Sequence, residues 1–182
     1  MGRSAFFIRL AGCKVSCNWC DTKQSWRAES HPQKCVETLA YEAAEAEQAG
    51  AAFVVITGGE PLHHNLDSLT QAIREKSDLA IHIETSGVDP ISGKPDWVTL
   101  SPKRHKPPLT DLLNYCNELK IVIHELDDLL FAEEVATKAP NAFWLLQPGW
   151  KSDKGQSLAI TYALRNPKWR LSLQSHKWLD LR

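Results

Sequence analysis

Gly12-Cys13-Lys14-Val15-Ser16-Cys17-Asn18-Trp19-Cys20-Asp21-Thr22 sets three cysteines at spacing C-x3-C-x2-C, directly after the apolar run Ala5-Phe6-Phe7-Ile8-Arg9-Leu10. Thiolates are the ligands of zinc and of iron–sulfur clusters. A structural zinc site or an ordinary 4Fe–4S cluster takes four ligands, yet no fourth cysteine follows at short spacing. Three thiolates on a cubane leave one iron open, and an open coordination site is where a substrate or cofactor binds. Two blander readings use the same residues. One is a zinc knuckle completed by a distant histidine, and the other is three buried free thiols.

The rest of the composition narrows the setting. A chain of 182 residues buries a real core and reads as one domain over residues 1–182. Hydrophobic residues make up 43% and charged residues 24%, as in ordinary soluble proteins. A net charge of -1 offers no electrostatic case for nucleic-acid binding. No apolar run approaches the ~20 residues that cross a bilayer. Met1-Gly2-Arg3-Ser4 leads straight into an apparent strand, with no signal peptide expected. Five cysteines, three of them clustered, do not form a disulfide framework and fit a reducing cytoplasm.

Outward from the cysteines the chain alternates. Residues 5–11 read as a buried strand, with the cysteine loop running to about Trp26. Val36, Leu39, Ala40 and Ala43 recur at helical spacing up to a stop at Gly50. Phe53–Thr57 is a β-branched strand before the turn Gly58-Gly59-Glu60-Pro61, and Leu66, Leu69 and Ile73 mark a second helix. Further strands are predicted at 80–84, 97–100, 119–123, 143–146 and 169–173. Helices are predicted near Leu109–Tyr115, from an Asp127 cap to Ala139-Pro140, and before Asn166-Pro167. Strand, loop and helix repeated about six times predict βαβ units and a parallel sheet. Ligands then bind beyond the carboxyl ends of the strands. The cysteine loop, Gly58-Gly59-Glu60, Thr85-Ser86-Gly87, Ser101-Pro102-Lys103 and Gln147-Pro148 all fall there, which predicts one composite site.

Each cluster has a possible task. Gly58-Gly59 lets backbone approach closely, and Glu60 can accept from an ammonium group; the alternative is a plain turn with a solvated Glu. Ser101 and Lys103 can meet a carboxylate or ribose hydroxyls, although a lone lysine is more often at the surface. Arg9 interrupts a strand expected to be buried, so it needs an anion, either a substrate carboxylate or an internal salt bridge. His63 and His64 read as solvated loop residues. Cys35 and Cys116 read as small packing residues. Gln174 and His176 either close a pocket or face water.

The cysteine spacing with Trp19 before the last cysteine resembles the radical S-adenosylmethionine (SAM) superfamily. More closely, Phe7–Cys13, Cys20-Asp21-Thr22, Thr57-Gly58-Gly59-Glu60-Pro61, Glu84-Thr85-Ser86-Gly87, Ser101-Pro102-Lys103 and Arg170–Lys177, in that order, resemble the 7-carboxy-7-deazaguanine synthase family over almost the whole chain. The resemblance implies an α/β fold, a partial, open relative of the TIM barrel with about six parallel strands. It implies a carbon–nitrogen lyase that turns 6-carboxy-5,6,7,8-tetrahydropterin into 7-carboxy-7-deazaguanine with loss of ammonia, on the route to queuosine in transfer RNA. A 4Fe–4S cluster would reductively cleave SAM, and the deoxyadenosyl radical would abstract hydrogen from the pterin.

By position, the resemblance assigns Cys13, Cys17 and Cys20 to the cluster and Thr22 to magnesium, which favours oxygen ligands. Trp19, Gly59, Glu60, Ser86, Ser101, Pro102, Lys103 and Gln147 would contact SAM. Arg9, Thr57, Gln174 and His176 would contact substrate. Implied partners are the small-molecule pterin, a reductant such as flavodoxin or ferredoxin, and a second copy in a homodimer, with neither nucleic acid nor membrane. The family also carries an additional amino-terminal strand and a Gly-Glu-Gly loop that touches the substrate, and this sequence starts after them. The first strand is therefore expected to leave a sheet edge unpaired. Two other readings remain: a glycyl-radical-enzyme activase, which shares the cysteine triplet and Gly-Gly-Glu-Pro, and a zinc-stabilised binding module.

Overall fold

A computed structural model describes residues 2–180. Its seven strands are β1 Phe6–Leu10, β2 Phe53–Gly58, β3 Ala80–Thr85, β4 Trp97–Leu100, β5 Glu118–Ile123, β6 Phe143–Pro148 and β7 Trp169–Leu171. They form one sheet in sequence order, and every pairing is parallel. Helices α1 Val36–Gln48, α2 Asp67–Lys76, α3 Thr110–Tyr115, α4 Leu126–Ala136, α5 Asp153–Arg165 and α6 Ser175–Trp178 complete the alternation. Order β1 through β7 with parallel neighbours means that every crossover runs the same way. This gives an open, barrel-like α/β sheet.

The strands are legible because their alternate residues are β-branched or leucine. Ile56, Ile81, Ile83, Leu100, Leu119, Ile121, Ile123 and Leu146 are each at most 1% exposed, in one core with the helices. Those helices contribute Ala40 and Ala43 from α1, Leu69 and Ile73 from α2, and Ala132 and Val135 from α4. Small residues on α1 let it pack tightly against α2.

The open parallel sheet is as expected, and the strand predicted at 169–173 is the short β7, paired with β6. Two predictions of detail change. The cap of α4 is Glu125, not Asp127: its side chain accepts from the amide of Asp128, whose carboxylate reaches back to the Glu125 amide at 3.0 Å. Cys35 is exposed at the head of α1, its sulfur 2.9 Å from Thr38 Oγ1, and is not a packing residue. Cys116 is buried, and burial pushes its thiol up to about 11.

Candidate functional site

Because all seven strands are parallel, their carboxyl ends share one rim, and the predicted polar clusters follow these ends. The cysteine loop leaves β1 at Leu10 and is held against the turn after β2. Gly59 N–H donates to Leu10 O at 2.8 Å and Glu60 N–H to Gly12 O at 2.9 Å. A Cβ on Gly58 would lie 2.1 Å from Leu10 O, and one on Gly59 2.3 Å from Gly12 O. The close approach these glycines permit is thus toward the cysteine loop's own backbone.

Glu60 is 2% exposed. Its carboxylate accepts from Leu62 N–H at 3.1 Å, the Thr85 hydroxyl, Ser86 N–H at 2.8 Å and the Ser86 hydroxyl. Four donors fill the lone-pair sites of a carboxylate. Glu60 is neither a solvated turn residue nor an open acceptor for an ammonium group. It ties the turn after β2 to the turn after β3, with Ser86 as its partner.

Cys17 is buried, and Cys13 and Cys20 are partly so. Burial pushes the Cys17 thiol up; Lys103 pulls it down, and its neighbours Cys20 and Cys13 push it up again. The three sulfurs therefore sit within electrostatic reach of one another, beside a partly buried cation. Such a donor set would fit an iron–sulfur cluster held by three thiolates. Among the described residues no group of three or more His, Cys, Asp or Glu side chains converges closely enough to hold a metal ion. Thr22 packs its hydroxyl 3.6 Å from Cys20 Sγ, and its amide donates to that sulfur at 3.4 Å.

Lys103 is held inside the rim. Its ammonium donates to Ser101 O at 2.6 Å and Ser101 Oγ at 2.8 Å and lies 5.4 Å from the centroid of the Trp19 ring. Burial pushes it down to about 8, against the pull of Cys17. Trp19, Pro102, Lys103, Val122, His124 and Phe131 help to line a cavity of about 390 Å³, within the range of small-molecule sites. Gly59, Glu60, Ser86 and Gln147 do not line it. Gln147 is half-buried near the end of β6.

Arg9 departs from its expectation. β1 has one strand neighbour among the described residues, β2. Arg9 is therefore exposed rather than buried, and it donates to Gly58 O at 3.1 Å. Exposure to solvent makes the cation tolerable there, and the nearby Glu84 carboxylate feels its charge. Its register partner is Thr57, so the two side chains share a sheet face. Glu84 lies on that face as well. Lys120, at 3.0 Å, holds its carboxyl below the ordinary range against burial, with further help from Arg9 and Lys103. In the carboxy-terminal segment, Gln174 donates to Asp21 at 3.0 Å, and Lys177 pairs with the same carboxylate. Burial pushes Asp21 up, but these two bonds outweigh it and leave the carboxyl below its usual range. His176 is exposed on α6.

The histidines are what sequence reasoning missed. His63 is not a solvated loop residue but half-buried, and His64, exposed in its loop as expected, is nonetheless hydrogen-bonded. His63 Nε2 accepts from Lys14 N–H at 3.0 Å, and His64 Nε2 meets Ala11 O at 2.8 Å. His105 Nε2 meets Val15 O at 3.0 Å, and Lys106 donates to Lys14 O at 3.1 Å. A tandem pair of histidines just after the Gly-Gly-Glu-Pro turn was the one available signal.

Residues 7–103 match the model of the Radical SAM superfamily. 7-Carboxy-7-deazaguanine synthase from Prochlorococcus marinus is 51% identical, over 99% of this chain and 90% of that protein. The synthase of the same name from Flavobacterium psychrophilum is 42% identical, over 99% and 84%. The crystal structure of QueE from Escherichia coli superposes with a TM-score of 0.78 at 31% identity, covering 96% of this chain and 86% of that one. The chain belongs to the 7-carboxy-7-deazaguanine synthase family of radical SAM proteins. Streptococcus suis SuiB bound to its precursor peptide SuiA, at 14% identity and a TM-score of 0.66, shares the fold alone.

Proposed function

We propose that this chain is a radical SAM lyase that contracts 6-carboxy-5,6,7,8-tetrahydropterin to 7-carboxy-7-deazaguanine with loss of ammonia, in queuosine biosynthesis. The observation that carries the proposal is the cysteine triplet. It is held on the rim of a parallel sheet, beside a partly buried lysine and a cavity of small-molecule size. Relatives matched over nearly the whole chain carry the name of that activity.

When bound, a 4Fe–4S cluster and SAM supply the one-electron chemistry. The chain supplies placement. Cys13, Cys17 and Cys20 hold the cluster. Lys103, Pro102 and Trp19 line the cavity for SAM, Ser101 holds the Lys103 ammonium, and Gly59, Ser86 and Gln147 stand on the same rim. Arg9 offers a planar fork for the pterin carboxylate, with Thr57 beside it. Glu84 and Lys120 supply a paired negative and positive group on that face. Gln174 and His176 lie in the carboxy-terminal segment, which Asp21 ties to the cysteine loop. The hydroxyl of Thr22 is a hard donor for magnesium.

The enzyme works as one cytoplasmic domain, as a homodimer, and takes electrons from a flavodoxin or ferredoxin. No helix among the described residues is long and apolar enough to cross a membrane. The test is anaerobic reconstitution with iron and sulfide, chemical reduction, and incubation with SAM and the pterin, followed by chromatography of deoxyadenosine and 7-carboxy-7-deazaguanine. Both are expected. Deoxyadenosine without the deazaguanine would remove the pterin assignment, and neither product from a verified reduced cluster would remove the radical SAM reading.

A further inference from the structure

The backbone around Cys13 is gripped on every side. Gly12 N–H donates to Ser25 O at 2.8 Å and Cys13 N–H to Trp26 O at 3.1 Å. His64 and His105 hold the carbonyls of Ala11 and Val15, and Lys106 holds that of Lys14. These side chains meet carbonyls, so each donates. His63 differs: it meets an amide N–H, that of Lys14, and must accept.

That requirement determines the state of the ring. Nε2 is an acceptor only if it carries no proton, and a neutral imidazole then carries its proton on Nδ1. His63 Nδ1 faces a carboxylate oxygen of Asp89, in the loop after β3. A carboxylate accepts only, so it selects the Nδ1–H form. The His63 side chain is 16% exposed and that of Asp89 38%, which leaves the imidazole largely shielded from competing water.

We propose that Asp89 and His63 are positioning residues for the first cluster cysteine. Asp89 fixes the tautomer of His63, His63 fixes the peptide of Lys14, and the thiol of Cys13 is aimed before any metal arrives. The role rests on the cluster assignment above, but the device is built into the metal-free chain. Partners of this outer kind orient ligands, and losing one typically costs roughly 10–100-fold in metal affinity.

Asp89→Asn tests it with little change of shape. Asn offers Nδ1 either an oxygen or an NH2 group, so the bias toward Nδ1–H is lost and the Nε2–H form, which sets a donor against the Lys14 N–H, becomes populated. In metal-free, nitrogen-labelled protein, the ring spectrum of His63 is expected to show Nδ1–H alone in the parent and a mixture with Nε2–H in Asp89→Asn. The Lys14 amide should exchange with solvent about tenfold faster in the variant, in keeping with the loss of one hydrogen bond. Protection across the sheet and the thermal midpoint should stay where they were. Asp89→Glu, which keeps the accepting carboxylate, should retain the parent tautomer and the protection of Lys14. Under limiting iron, Asp89→Asn should load the cluster with an apparent affinity lower by roughly 10–100-fold.

The proposal is overturned by an Nε2–H ring in the parent, by unchanged exchange at Lys14 in Asp89→Asn, or by identical behaviour of the Asn and Glu variants. A uniform loss of protection over the whole sheet also overturns it, since Asp89 would then be a general structural residue. Because the ring spectrum and the exchange rates are read without metal, their failure is distinct from failure of the proposed activity.

Discussion

Successive residues of the same strands enter opposite environments. Toward the helices stand Ile81 and Ile83 of β3, Val98 and Leu100 of β4, and Leu119, Ile121 and Ile123 of β5, none more than 1% exposed. The other face carries His82, Glu84, Trp97, Thr99, Glu118 and Lys120. Toward the amino ends of the strands that face is closed by stacked rings. Phe53 and His82 lie 4.3 Å apart, His82 and Trp97 5.9 Å, and Trp97 and Phe143 6.2 Å. Arg3 lies over Phe53 at one end and Arg170 over Phe143 at the other. Beside and beyond the rings it is polar and paired, with Thr99 donating to Glu118 at 2.7 Å and, nearer the carboxyl ends, Glu84 on Lys120. One face excludes water and holds the molecule together. The other keeps charges in matched pairs, since an unpaired charge there would be expensive. That division lets a single sheet carry both stability and chemistry.

The comparison is most exposed to Cys17→Ala. Iron content and visible absorption after reconstitution should fall to background, while the denaturant midpoint of the metal-free protein hardly moves. Cys35→Ala and Cys116→Ala should retain full iron. Iron lost on replacing Cys116 would mean that the buried core also holds the cluster, and the division would fail.

Ile83→Ala attacks the helix-facing side. It should cost about 2–5 kcal/mol of unfolding free energy, read by urea denaturation, with iron per folded chain unchanged. Arg9→Lys tests the opposite face. Losing the two-pronged contact with a carboxylate should lower pterin turnover by roughly 10–100-fold, the equivalent of about 1.5–3 kcal/mol. Deoxyadenosine formation should persist. A parallel drop in both products would make Arg9 a structural residue, consistent with its bond to Gly58 O.

The smallest effect concerns pH. Lys120 holds the Glu84 carboxyl below its ordinary value of 4.5. A depressed carboxyl adds stability that is present above its unfolded value and disappears as pH falls through the folded one. Lys120→Met should therefore be less stable than the parent near neutrality, and the gap should close in acid below that range. A gap that persists unchanged at low pH would point to lost packing of the lysine stem in place of the ion pair.

Much of this was written locally. All seven strands and the five longer helices appear in runs of β-branched residues, helical spacing and stop signals, because those properties act over a few neighbouring residues. The cysteine triplet carries its ligand chemistry in covalent spacing alone. Parallel order then brought the polar turns to one rim, as βαβ connections require. What tertiary structure decided was which groups meet there. Glu60 takes three of its four donors from residues 25 and 26 positions away, His63 reaches Lys14 across 49, and His105 reaches Val15 across 90. The exposure of Arg9 follows from β1 having β2 as its one strand neighbour among the described residues, a property of the sheet rather than of the strand's own composition. Hydrogen bonds of this range depend on how loops from separate strands crowd one rim, and local propensity holds no record of that geometry.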